Sequence, residues 1–124
     1  MLNNHPLVAF LVTTNAERTR TFYEGALGLE FVSDDMFAIV MRGHGTTLRI
    51  AKVSVAVVPP YTSLGWDVPN VAEAVAGLVA RGVEFERFPG MQQDASGVWT
   101  VPGGAAKVAW FKDPDGHTLS LSGQ

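Results

Sequence analysis

Three histidines, twelve carboxylates, nine lysine or arginine cations and no cysteine are the groups from which this chain can build chemistry. The missing cysteine removes disulfides, thiolate metal sites and thiol nucleophiles. There is no GxSxG elbow, no P-loop and no GxGxxG, and the Ser, His and Asp residues are not placed as a triad. The stretch with the clearest geometry runs from Lys107 to Leu121, where two apolar runs flank Asp113-Pro114-Asp115-Gly116. Pro114 presets a type I turn, Asp113 bonds its own backbone ahead, and Gly116 supplies a left-handed residue. If Asp113 pairs with His117, Trp110 stands opposite Ser120 and the two share a face with Val108 and Ser122. Leu119 and Leu121 then point to a core. A face that mixes a large aromatic with small hydroxyls suits a pocket wall; ordinary core packing of Trp110 is the alternative.

The elements that would position these residues follow from pattern. Leu7 to Val12 reads as a strand. Thr14-Asn15-Ala16-Glu17 reads as a capping box that opens a helix over about 16–27, with Gly25 and Gly28 as stop signals. Glu30 to Ser33, Met36 to Arg42 and Thr46 to Val53 read as strands, with Gly43-His44-Gly45 as a turn. After Pro59-Pro60, Thr62 to Val68 is strand-like, and Asn70 caps a second helix that Gly82 stops. Val83 to Arg87, Val98 to Val101, Lys107 to Phe111 and Thr118 to Ser122 complete the strands. The loop 89–97 carries Met91, Gln92 and Gln93, and it is either a lid or plain surface.

The two halves repeat. Gly28-Leu29-Glu30-Phe31 matches Gly82-Val83-Glu84-Phe85, and Thr47-Leu48-Arg49-Ile50 matches Thr118-Leu119-Ser120-Leu121. Self-similarity of this kind predicts an α+β fold of two tandem βαβββ modules forming a curved eight-stranded sheet, helices outside and a trough inside. The expected layout is a single domain over 1–124, with module one about 1–57, a linker 58–61 and module two about 62–124.

Composition sets limits. Hydrophobic residues are 47% and charged residues 17%, which suits a packed globule. The net charge of −3 gives no basic footprint for nucleic acid and no membrane-surface patch. Neither Val55 to Val58 nor any other apolar run is long enough to span a bilayer. Met1 to His5 does not read as a secretory signal, so the default location is the cytoplasm.

The stretch Asn15-Ala16-Glu17-Arg18-Thr19-Arg20-Thr21-Phe22-Tyr23 with Leu27-Gly28-Leu29, the phrase Gly65-Trp66-Asp67-Val68, and Asp113-Pro114-Asp115-Gly116 resemble the vicinal oxygen chelate superfamily of glyoxalases, bleomycin-resistance proteins and extradiol dioxygenases. The resemblance covers nearly the whole chain. It implies the duplicated fold, and it implies a divalent metal held by one inward residue on each of four strands. Those four positions fall at Val8, Arg49, Ser63 and Ser120. Valine has no lone pair, arginine is a permanent cation, and two hydroxyls alone are poor ligands. His5 and His117 each lie three residues from such a position, an odd shift that turns a strand side chain to the other face. His44 lies in a turn. The three are expected as surface histidines. No metal or other cofactor is therefore expected, with a displaced divalent metal as the alternative.

Strand parity then fills the trough. It draws on Val8, Phe10, Arg49, Ser63, Asp67, Trp110 and Ser120, with Trp99 beside the long loop. Carrying the match of Thr47 with Thr118 back across the hairpin equates Trp110 with Ile39 and adds Phe37. Such a cleft suits a planar or apolar molecule with an anionic group, with Arg49 on the anion and Trp110 stacking. An internal Arg49–Asp67 ion pair is the competing role. Three functions follow: a metal-free protein that binds or sequesters a small molecule; an enzyme of the family, of lyase, isomerase or dioxygenase type, acting without metal or with a displaced one, with Asp67 as its one inward base; or an association subunit. A homodimer is expected under all three.

Overall fold

The computed structural model describes residues 1–124. The chain divides into two compact units, Met1–Val58 and Pro59–Gln124. Each holds a four-stranded mixed sheet with helix on one face, so the fold is α+β with two modules of the same plan.

In the first module β1 (Val8–Thr13) leads into α1 (Ala16–Arg20), and then come β2 (Glu30–Asp34), β3 (Ala38–Gly43) and β4 (Thr46–Lys52). The sheet order is β1-β4-β3-β2, with β1 and β4 parallel and the other pairs antiparallel. The Asn15 side chain starts the helix by accepting the Arg18 N–H at 3.1 Å, which satisfies one of its orphan donors. The predicted helix is present but not α throughout. After Arg20 it widens into a π-helical segment, Thr21–Ala26. Within that segment Tyr23 is fully buried. Thr13 and Thr19 share a buried hydroxyl contact of 2.7 Å that ties β1 to the helix. Gly28 then takes φ 75°, which lets Leu29 N–H reach back to the Tyr23 carbonyl. Leu11, Ile39, Met41, Leu48 and Ile50 form the buried face of this sheet.

The second module repeats the order as β5-β8-β7-β6, with β5 (Thr62–Val68), α2 (Val71–Val79), β6 (Trp99–Thr100), β7 (Lys107–Lys112) and β8 (Thr118–Gly123). Asn70 caps α2 by accepting the Glu73 N–H at 3.0 Å. Val71 and Val75 are buried on the helix face toward the sheet, together with Phe111, Leu119 and Leu121. Trp66 stacks on Phe111 from the same side.

Two predicted strands are shorter than expected. Val83 to Arg87 contributes a single bridge, Phe85 with Phe111, and Val98 to Val101 shrinks to the two residues of β6. The cause is local. Gln93 and Arg87 side chains take the carbonyls of Glu86, Gln93, Asp94, Ala95 and Gly97, so this backbone is tied into a loop instead of a ladder. No helix is long and apolar enough to cross a membrane.

Candidate functional site

Each sheet has one face under its helix and one open face, and the open faces carry most of the residues singled out above. On the first, β1 and β4 run in register so that Phe10 stands beside Arg49, with Val8 beside Thr47. The next strand brings Val40 to the other side of Arg49. Arg49 is half-buried between these two apolar neighbours and makes no ion pair within its module. Phe10 is 69% exposed and Val8 49%. A guanidinium that is partly desolvated keeps the donor geometry that suits a carboxylate. Its field reaches Asp35. That carboxyl is held below its ordinary value of 3.8, first by the Phe37 N–H, then by the Ala38 N–H, with the charges of Arg49 and Lys52 adding a smaller pull.

Ile39 is not on this face. It pairs with Ile50, is fully buried and belongs to the core, while Val40 takes the place next to Arg49. Phe37 lies just before β3 and is exposed. The reason is turn length. In the first module Gly43 pairs with Thr46 across two residues. In the second, the Asp113 N–H bonds the His117 carbonyl across three. The offset between modules therefore drops by one on crossing the hairpin, and a one-residue slip reverses the face. The difference between Gly43-His44-Gly45-Thr46 and Asp113-Pro114-Asp115-Gly116-His117 was the available signal.

On the open face of the second module Gly65, Ser120 and Trp110 lie in one row, and Asp67, Ser122, Val108 and Trp99 in the next. The predicted pairing of Trp110 with Ser120 is thus observed. A Cβ on Gly65 would come within 2.7 Å of Ser120 Oγ, so the serine hydroxyl leans over the glycine. Ser63 is the extra residue of a bulge in β5, between Thr62 and Leu64, and its Oγ is buried without a hydrogen-bond partner. Trp99 and Trp110 lie 6.2 Å apart, and Phe88 meets Trp110 edge-on at 5.4 Å. Phe88 had no spacing signal in the sequence. Its place comes from Gln93, whose Oε1 accepts the Phe88 N–H at 2.8 Å while Nε2 donates to Glu86 and Gly97 carbonyls. The loop 89–97 is pinned from within.

The hairpin end differs from expectation in one respect. His117 is not a surface histidine: it is 3% exposed, and its Nδ1 lies 2.8 Å from Asp113 Oδ2. Asp113 Oδ1 also accepts the N–H groups of Asp115 and His117. His5 and His44 are exposed.

Residues 4–121 match the profile of the Glyoxalase/Bleomycin resistance protein/Dioxygenase superfamily. The chain belongs to that superfamily. Solved structures agree on the fold. A glyoxalase/bleomycin resistance protein/dioxygenase from Nocardioides is 21% identical with a TM-score of 0.71, over 96% of this chain and 82% of that one. A superfamily member from Sphaerobacter thermophilus is also 21% identical at 0.71, over 97% of both chains. A lactoylglutathione lyase from Agrobacterium tumefaciens is 12% identical at 0.72, over 96% and 92%. No curated protein matches.

The metal implied by the superfamily does not fit the residues present. Its four positions are Val8, Arg49, Ser63 and Ser120, a hydrocarbon, a cation and two hydroxyls. No group of three or more His, Cys, Asp or Glu side chains is placed to hold a metal ion elsewhere.

Proposed function

We propose that this superfamily member binds or sequesters small molecules on its open sheet faces, and that the face of the first module takes a planar organic molecule bearing an anionic group. The observation that carries the reading is Arg49, a half-buried guanidinium with no ion pair within its module, set between Phe10 and Val40. Its planar fork suits a carboxylate. Phe10 beside it supplies apolar surface, and the open face of the second module has its own stacking surface in Trp110 and Trp99. Calorimetric titration with benzoate and naphthoate tests this. Arg49→Ala should weaken binding by about 1.5–3 kcal/mol, the range for a hydrogen bond to a charged group. Unchanged affinity would remove Arg49 from the site.

A second reading is an enzyme of the superfamily that works without metal or with a displaced one. Asp67 favours it, as an exposed carboxylate that no side chain of the protein engages. Tight, stoichiometric Zn, Ni, Mn or Fe(II) in calorimetry would overturn the metal-free reading. The assembly we propose is a homodimer, which light scattering checks against the 13.3 kDa chain.

A further inference from the structure

The open face of the second module carries chemistry that anion binding does not use. Beside the Trp110 indole the row continues into Ser120 and Gly65, so the floor next to the ring is built from small residues. Asp67 and Ser122 stand on the adjoining row. The Ser120 and Ser122 hydroxyls and the Asp67 carboxylate make no hydrogen bond inside the protein. At the bulge on the same strand as Asp67, the Ser63 hydroxyl is buried and unsatisfied, the state in which a polar group takes a water or a ligand hydroxyl. Trp110 and Asp67 lie two strands apart, about 10 Å by strand spacing, which leaves room for one six-membered ring with its substituents.

We propose that this face binds a polyhydroxylated ring, a saccharide or amino sugar, with its C–H face against Trp110 and its hydroxyls held by Ser120, Ser122 and Asp67. A sugar ring is apolar on its faces and polar at its rim, which matches an indole beside hydroxyls and a carboxylate. An ionised carboxylate accepts two hydroxyl donors at once or pairs with an ammonium. The same carboxylate repels an anion, so this face takes a ligand of a different class from the one read for Arg49. Gln93 holds the chain at Phe88, and Phe88 sets the tilt of Trp110 before any ligand arrives. The inference rests on the reading that the open faces bind small molecules, and it adds the ligand class of the second face.

Tryptophan fluorescence and calorimetry of the whole chain against glucose, galactose, mannose, N-acetylglucosamine, glucosamine and inositol at millimolar concentrations test it. At least one should bind and quench the indole signal. Asp67→Asn should weaken it about tenfold or more, and Ser122→Ala by a few-fold. Circular dichroism confirms that each variant folds; both substituted side chains lie off the buried core, so folding should persist. No binding by any of the six, or binding indifferent to Asp67→Asn, would overturn the proposal. Benzoate titration of the same protein separates the two readings. Saccharide binding without benzoate binding removes the Arg49 reading alone, and the reverse removes this one alone.

Discussion

The same row of the two sheets reads Phe10, Arg49, Val40 in the first module and Gly65, Ser120, Trp110 in the second. Strand by strand these are equivalent slots, since the sheet orders β1-β4-β3-β2 and β5-β8-β7-β6 coincide. The bulk sits on opposite strands. The first face has its large aromatic on the edge strand and a cation in the middle. The second has a hollow on the edge strand and its aromatic further in. Duplication supplies the slots, and side-chain choice puts a cation on one face and a hollow beside an aromatic on the other.

The closing hairpins differ too, and they give the largest expected effect. The turn at His44 and Gly45 is exposed and stands on backbone conformation, with φ 48° and 81°. The turn at Pro114 to Gly116 stands on Asp113. Asp113→Ala would leave two backbone donors and a buried imidazole without their acceptor, at a cost of about 3 kcal/mol. Thermal and urea unfolding measure it; a loss no larger than that of His44→Ala would erase the contrast between the turns. Next comes the hollow. Gly65→Ala drives a methyl into Ser120 Oγ and should cost about 1–2 kcal/mol, which Ser120→Ala in the same chain should largely restore. Phe10→Ala, at the equivalent but exposed slot, should cost under about 0.5 kcal/mol. A Phe10 penalty equal to that of Gly65 would mean the two slots are packed alike.

The smallest effect is an acid one in the first module. The folded state holds the Asp35 carboxyl below 3.8, so its contribution is present above that pH and fades as pH falls through the lowered value. Asp35→Asn should flatten the acid limb of stability below about pH 4 and leave neutral stability nearly unchanged, as read from urea midpoints across pH. An unaltered acid limb would show that the Phe37 and Ala38 N–H groups do not engage the ionised form.

Much of this scaffold was legible in the sequence because its signals are local. Asp113-Pro114-Asp115-Gly116 specifies a three-residue loop, and from it the register Trp110 with Ser120 follows. Asn15 and Asn70 mark both helix starts. What was hidden depends on counting across the repeat or on contacts distant in sequence. Ile39 stood in for Val40 because one offset was carried over two turns of unequal length. The burial of His117 follows from an Asp113 carboxylate that serves the side chain and the backbone together. Val83 to Arg87 has strand composition, yet side chains of the following loop claim part of its hydrogen bonding. The π-helical turn at Thr21–Ala26 has no compositional mark. Of the candidate site, Arg49, Phe10, Trp110 and Asp67 came from parity and Trp99 from its place beside the long loop, and all lie on open faces, whereas Phe88 needed the loop to be folded before it could be found.

Gln93 is bonded in both senses, accepting through its oxygen and donating twice through its nitrogen. Glutamate has the same outline, yet it would set a negatively charged oxygen against two carbonyls that now attract. Chemical deamidation at this one side chain, a change of a single atom and its protons, would therefore unfasten the segment that steadies the indole wall.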